Sequence, residues 1–112
     1  MDMDQVLEQI GKRLYQRRKQ VGMTQDALAE WANITSQTIS TAELGKKAMR
    51  ADTIIRVCES LDITPNYLLL GEVTSQDVAF LTEKISQLSP EQYRHLEDII
   101  NSYIAALNLS ET

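Results

Sequence analysis

The 112-residue sequence predicts an all-α chain, and three observations carry that prediction. Apolar residues recur at helical steps of three and four through most of the length. Helix-starting and helix-stopping residues punctuate these stretches at short intervals. No segment alternates apolar and polar residues long enough for a strand, and aromatics make up only 5%, fewer than a long all-β chain usually carries.

Taken in order, Val6, Leu7, Ile10, Leu14 and Val21 share one face of a first helix, which ends near Val21 because Gly22 can take the left-handed conformation. Thr24 is an N-cap for a second helix carrying Ala27, Leu28, Trp31 and Ala32, with Asp26 placing negative charge in its first turn. Trp31 reads as core. Asn33-Ile34 makes a tight connection, and Thr35 caps a third helix with Ile39 and Ala42 inward, stopping before Gly45. Asp52 precedes a fourth helix with Ile54, Ile55, Val57, Cys58 and Leu61. Thr64-Pro65 is an N-cap followed by proline at the first helical position, where its missing N–H costs nothing. The fifth helix then carries Tyr67 to Leu70 and ends at Gly71.

Glu72 to Ser75 is a short polar joint. A sixth helix, capped by Thr74 or Ser75, aligns Val78, Leu81, Ile85 and Leu88. Ser89-Pro90-Glu91-Gln92 combines an N-cap serine, a first-position proline and a capping-box glutamine. In the seventh helix Tyr93, Leu96, Ile100, Tyr103 and Leu107 follow coiled-coil spacing, and Ile99 and Ile104 widen the stripe. The expected organisation is residues 1–71 as one domain and 72–112 as a C-terminal helical segment.

Composition narrows the classes. No apolar run approaches the roughly 18–20 residues that span a bilayer, and the acidic start Met1-Asp2-Met3-Asp4 is no signal peptide, so a cytoplasmic location is expected. One cysteine, Cys58, allows no internal disulfide or cysteine cage, and one histidine, His95, weakens any metal reading; neither metal nor cofactor is expected. Cys58 reads as core and His95 as surface. The net charge of −5 is unevenly spread. Residues 1–71 hold nine Lys/Arg against nine Asp/Glu, whereas residues 72–112 hold two against seven. The bases of the first part cluster at 12–19 and 46–50, which predicts a locally basic face.

Two short helices about three residues apart point to a helix-turn-helix. The run Thr24-Gln25-Asp26-Ala27-Leu28-Ala29 through Ile39-Ser40-Thr41-Ala42-Glu43-Leu44-Gly45-Lys46 resembles the phage-repressor-like helix-turn-helix family, which includes the lambdoid repressors and Cro proteins. Val21-Gly22-Met23 before it and Asp62-Ile63-Thr64-Pro65-Asn66-Tyr67-Leu68-Leu69 after it agree, so the resemblance covers about residues 8–71. It implies a five-helix lambda-repressor-like DNA-binding domain followed by two C-terminal helices for dimerisation, and a transcriptional regulator, most simply a repressor of double-stranded DNA.

In that frame the third helix reads the major groove, with Ser36, Gln37, Ser40 and Thr41 as its outward face. Gln37 is the strongest candidate, because a glutamine can bond two edge atoms of adenine at once. Thr24 and Gln25, at the start of the second helix, with Lys46, Lys47 and Arg17, are candidate phosphate contacts. Arg18 and Glu43 match a family salt bridge behind the reading helix. The sequence departs from the family at Leu44, where asparagine is frequent, and at Ala48-Met49-Arg50, where a proline often precedes the fourth helix.

The seventh-helix stripe fits two arrangements, folding back as extra core or pairing with its twin. Its breadth favours a homodimer through Tyr93, Leu96, Ile99, Ile100, Tyr103, Ile104 and Leu107, which would demand a palindromic operator. With little room for a sensing domain, control by a regulatory protein partner, proteolysis or abundance is expected. Two other functions fit less well: an antitoxin whose C-terminal segment binds a toxin, and an interaction module that has lost DNA binding. No nucleophile pair, phosphate-cradling glycine loop or H-E-x-x-H points to an enzyme.

Overall fold

Most helices of the chain begin where a side chain satisfies N–H groups that the first turn leaves free. The computed structural model describes residues 2–111, and side chains as far as Leu109. Helix α1 (Met3–Gln20) starts at Asp2, whose carboxylate accepts from the Gln5 N–H while the Gln5 side chain accepts from the Asp2 N–H. Thr24 caps α2 (Gln25–Ala32), Thr35 caps α3 (Ser36–Glu43), and Thr64 caps α5 (Pro65–Leu70). Ahead of α6 (Ser75–Ser86), Thr74 Oγ1 accepts from the Asp77 N–H at 3.4 Å. Ser89 and Gln92 form the expected reciprocal box at the start of α7 (Pro90–Glu111). The described residues are helical throughout their regular structure, with no strand, as the sequence predicts.

One start differs from expectation. Helix α4 (Ala51–Leu61) is entered from Arg50, which makes no side-chain cap bond, and Asp52 lies inside the first turn rather than ahead of it. An acid there still suits the positive end of the helix dipole. The helix stops use left-handed residues: Asn33 (φ 55°), Asp62 (φ 53°) and Gly71 (φ 77°) end α2, α4 and α5. Asn and Asp tolerate that region better than other non-glycine residues.

Two compact units divide within α6, between Phe80 and Leu81. In the first, α1 packs on α3 and α5, α2 on α3 and α4, and α4 on α5. Leu14, Leu28, Ile39, Val57, Leu61 and Leu68 are fully buried at the centre. Each such side chain contributes about 1.5–3 kcal/mol relative to exposure. Cys58 lies among them, and burial, with lesser help from Asp77 and Glu59, pushes its thiol up to about 11. Gly11 sits where α1 crosses the end of α3. A methyl group there would overlap the carbonyl oxygens of Ala42 and Glu43, so only glycine allows this approach.

Trp31 corrects the sequence reading. It is 74% exposed, because Leu28, Ala29 and Ala32 take the inward face of α2 and leave position 31 outside. Ile55, on the outer side of α4, and Val21, just past α1, are likewise exposed.

The second unit contains the end of α6 and all of α7. No described side chain of α7 is buried; Leu96 is half-buried, and Tyr93, Ile99, Ile100, Tyr103, Ile104 and Leu107 are exposed. His95 is exposed too.

Candidate nucleic-acid interface

The third helix is held from behind by ions taken out of water. Arg18 on α1 and Glu43 at the end of α3 are both nearly buried, with side chains 8% and 5% exposed. Their contact is bidentate, with Arg18 Nε 2.6 Å from Glu43 Oε2 and Nη2 2.9 Å from Oε1. Two parallel N–H···O bonds of this kind fix geometry as well as charge. The remaining Arg18 nitrogen donates to the Met23 carbonyl at 2.8 Å, and the guanidinium carbon lies 5.4 Å from the Tyr15 ring centre. Bonding to Glu43 outweighs the opposing effect of burial and raises the Arg18 pKa above its ordinary value. Gln25 joins the pair, its Nε2 donating to Glu43 Oε1 at 3.1 Å. One network thus ties α1, the start of α2 and the end of α3.

Away from the buried Ile39 and Ala42, α3 presents its polar residues. Gln37 is exposed, and Ser36, Ser40 and Thr41 are half-buried. Gln37 Nε2 donates to Thr41 Oγ1 at 3.0 Å, so these two side chains lie together one turn apart. Ser36 Oγ donates to Asp26 Oδ1 on α2. Gln37 and Thr41 also line an open groove of about 390 Å³, whose far wall is Lys47, Arg50 and Arg56. Ser36 and Ser40 do not line it.

The groove is cationic. Asp52 is shared by Arg50 at 3.4 Å and Arg56 at 3.2 Å, so one carboxylate stands against three cations. Arg56 was not among the residues expected from sequence. Its spacing of four from Asp52 was the available signal, but a helical ion pair alone does not say which face it serves.

The remaining candidate phosphate residues divide. Lys46 and Lys47 are exposed just past α3, and Thr24 is exposed at the start of α2 with its hydroxyl accepting from the Ala27 N–H at 3.0 Å. Arg17, the remaining candidate, also bonds within the chain. Its Nε donates to the Leu61 carbonyl at 2.9 Å and its Nη1 to Gln20 Oε1, so it closes the C-terminal end of α4. Arg13 does the same for α5, donating to the Leu68 and Leu69 carbonyls at 2.8 and 2.9 Å.

Comparison with known proteins agrees with this architecture. The chain is 29% identical over 83 residues to an uncharacterized HTH-type transcriptional regulator, y4aM, of Sinorhizobium fredii, spanning 74% of this chain and 54% of that protein. It is 27% identical over 71 residues to repressor protein C2 of Salmonella phage P22, spanning 63% of this chain but 33% of the repressor. The chain therefore spans about half or less of the length of these curated relatives. Among solved structures, the P22 c2 repressor in complex with synthetic operator 9T superposes with a TM-score of 0.55 at 27% identity, over 56% of this chain and 96% of that one. The restriction-modification controller protein C.AhdI from Aeromonas hydrophila superposes with a TM-score of 0.54 at 27% identity, over 55% and 94%. The helix-turn-helix domain family matches residues 11–73, more than half of the sequence, and with the helices arranged as described the chain belongs to that family.

Proposed function

We propose that the chain is a sequence-specific DNA-binding transcriptional regulator, acting as a homodimeric repressor on an inverted-repeat operator in the cytoplasm. The observation that carries this reading is the pairing of an uncharged hydrogen-bonding face on α3 with a cationic groove along one side. Polar side chains without net charge suit base edges, which offer donors and acceptors, whereas cations suit the phosphates that flank them.

In this reading Ser36, Gln37, Ser40 and Thr41 meet bases, and Thr24, Gln25, Lys46 and Lys47 meet phosphates. Arg17, held against the end of α4 by the Leu61 carbonyl, is a further candidate for a phosphate. The ion pair of Arg18 and Glu43 positions the reading helix, and Gln25 shares its amide between that pair and the DNA. The P22 repressor, which shares this fold, was solved in complex with a synthetic operator, which supports DNA binding here. No catalytic role is assigned.

The surface of α7 supports dimerisation. Its exposed aliphatic and aromatic residues at 93, 99, 100, 103, 104 and 107 form a broader apolar stripe than a lone surface helix usually shows. A two-fold pairing would cover the stripe and present two reading helices to half-sites about 34–36 Å apart.

The test is selection of preferred duplexes from a randomised library, then titration of the full chain against the selected and a scrambled duplex at two salt concentrations. The reading expects at least about a thousandfold preference for the selected duplex. Lys46→Ala and Lys47→Ala should each lower the salt slope by about one per protomer, about two for the bound dimer. Equal, weak binding to both duplexes would refute sequence reading.

A further inference from the structure

Asp26 is an acid on the DNA side of the proposed interface, where general electrostatics disfavours one. It lies in the first turn of α2, is exposed, and accepts a hydrogen bond from Ser36 at the first position of α3. We propose that Asp26 is a positioning residue that fixes the Ser36 hydroxyl as an acceptor toward DNA, so that this position of the reading helix selects an amino-bearing base, adenine or cytosine. The inference rests on the proposed role of α3 and deepens it.

A serine hydroxyl has one proton and two lone pairs, and by itself bonds donors and acceptors alike. That ambiguity is why serine is ordinarily a weak reader. A carboxylate removes it. Hydrogen bonds to an ionised oxygen are roughly twice as strong as neutral ones, so the Ser36 proton stays on the Asp26 side and only lone pairs face outward. In the major groove the donors are the N6 amino group of adenine and the N4 amino group of cytosine; guanine and thymine offer acceptors at the matching places. Guanine or thymine opposite Ser36 would set lone pairs against lone pairs.

Thr41 is not fixed in this way. It accepts from Gln37 Nε2 at 3.0 Å and keeps both a proton and a lone pair to offer. Of these two hydroxyls, only that of Ser36 is held to one polarity. The cost of the arrangement is repulsion between Asp26 and nearby phosphates, which weakens binding to every sequence equally. Discrimination gained at the expense of raw affinity is a familiar exchange in recognition.

The test separates geometry from charge. Asp26→Asn keeps an oxygen acceptor for Ser36 and removes the charge; Asp26→Ala removes both. Site preferences of the wild type, these two variants, Ser36→Ala and the Asp26→Ala/Ser36→Ala double variant would be read from one randomised duplex library. The expected result is a wild-type preference for adenine or cytosine at one position per half-site. Asp26→Ala and Ser36→Ala should lower that preference by about fivefold or more, with the double variant no worse than either. Asp26→Asn, whose neutral amide offers Ser36 a donor as well as a weaker acceptor, should lose part of that preference while binding all duplexes more tightly. Other positions should be unchanged in every variant, which shows that the fold survives. If Asp26→Asn and Asp26→Ala both tighten binding uniformly and alter no preference, Asp26 only repels phosphate and the proposal is overturned. A change at a different position from that of Ser36→Ala overturns it too. A wild type without any preferred sequence would refute the role of α3 itself and this inference with it.

Discussion

Arg18 and Glu43 meet through two hydrogen bonds of 2.6 and 2.9 Å across α1 and α3, at a place where neither side chain is more than 8% exposed. Such a pair gains little over a well-packed apolar pair, because removing two ions from water offsets most of their attraction. Its consequence is orientation. Helix α3 is eight residues long, too short to hold its own direction, and the pair anchors its last residue to the longest helix of the first unit.

Glu43→Ala should therefore cost about 3–5 kcal/mol, since it leaves Arg18 charged and buried without its partner. Urea unfolding of the purified chain measures this. Replacing both residues together, Arg18→Met with Glu43→Leu, should recover most of that stability yet leave α3 less well aimed, read as weaker operator binding.

Gly11→Ala tests the approach of α1 to α3. In a free helix the change would stabilise by about 0.5–1 kcal/mol. Here the added methyl overlaps the Ala42 and Glu43 carbonyls, so a net loss of about 1–3 kcal/mol is expected in the same unfolding experiment.

Asp77 predicts a pH dependence. Its carboxylate accepts from the Thr64 N–H and hydroxyl at 3.0 and 2.8 Å, and from the Thr74 N–H and hydroxyl at 2.9 and 3.0 Å. Burial pushes the Asp77 carboxyl up, and these four bonds together outweigh it and hold the pKa below the ordinary value. A carboxylate with a lowered folded pKa adds stability that is complete above its unfolded value, about 3.9. That stability is lost as pH falls through the folded value. Thermal unfolding of the wild type should fall more steeply below about pH 4 than that of Asp77→Asn; parallel curves would remove the assignment.

Ile100→Asp tests the dimer. A charge at the centre of the α7 stripe should give a folded monomer by light scattering, with operator affinity reduced at least tenfold at equal chain concentration. A variant that remains dimeric would show that the stripe is not the interface.

Much of the fold was legible because local signals and packing agree here. Thr24, Thr35, Thr64 and Ser89 were identifiable as caps from their own neighbourhoods, and each makes the expected bond. Trp31 misled because a large apolar residue is usually inward, and α2 had already filled its inner face with Leu28, Ala29 and Ala32. The start of α4 was misplaced by two residues because Asp52 is a good cap by type, whereas the backbone turns at Arg50. Apart from Arg18 with Glu43, which the family resemblance implied, contacts between residues distant in sequence were beyond reach. Asp26 with Ser36, Asp77 with Thr64 and Arg17 with the Leu61 carbonyl depend on how helices cross, which spacing along the chain does not encode.

The central claim is that α3 reads bases, and Gln37→Ala tests it most directly. Gln37 is exposed on that face and is not part of the core, so its removal should leave the fold intact. Base preferences of the variant and the wild type would be compared position by position on the selected duplex. The account predicts that preference collapses at one position in each half-site, by about fivefold or more, while the salt slope stays the same. Unchanged preference at every position, with or without weaker binding overall, would contradict it.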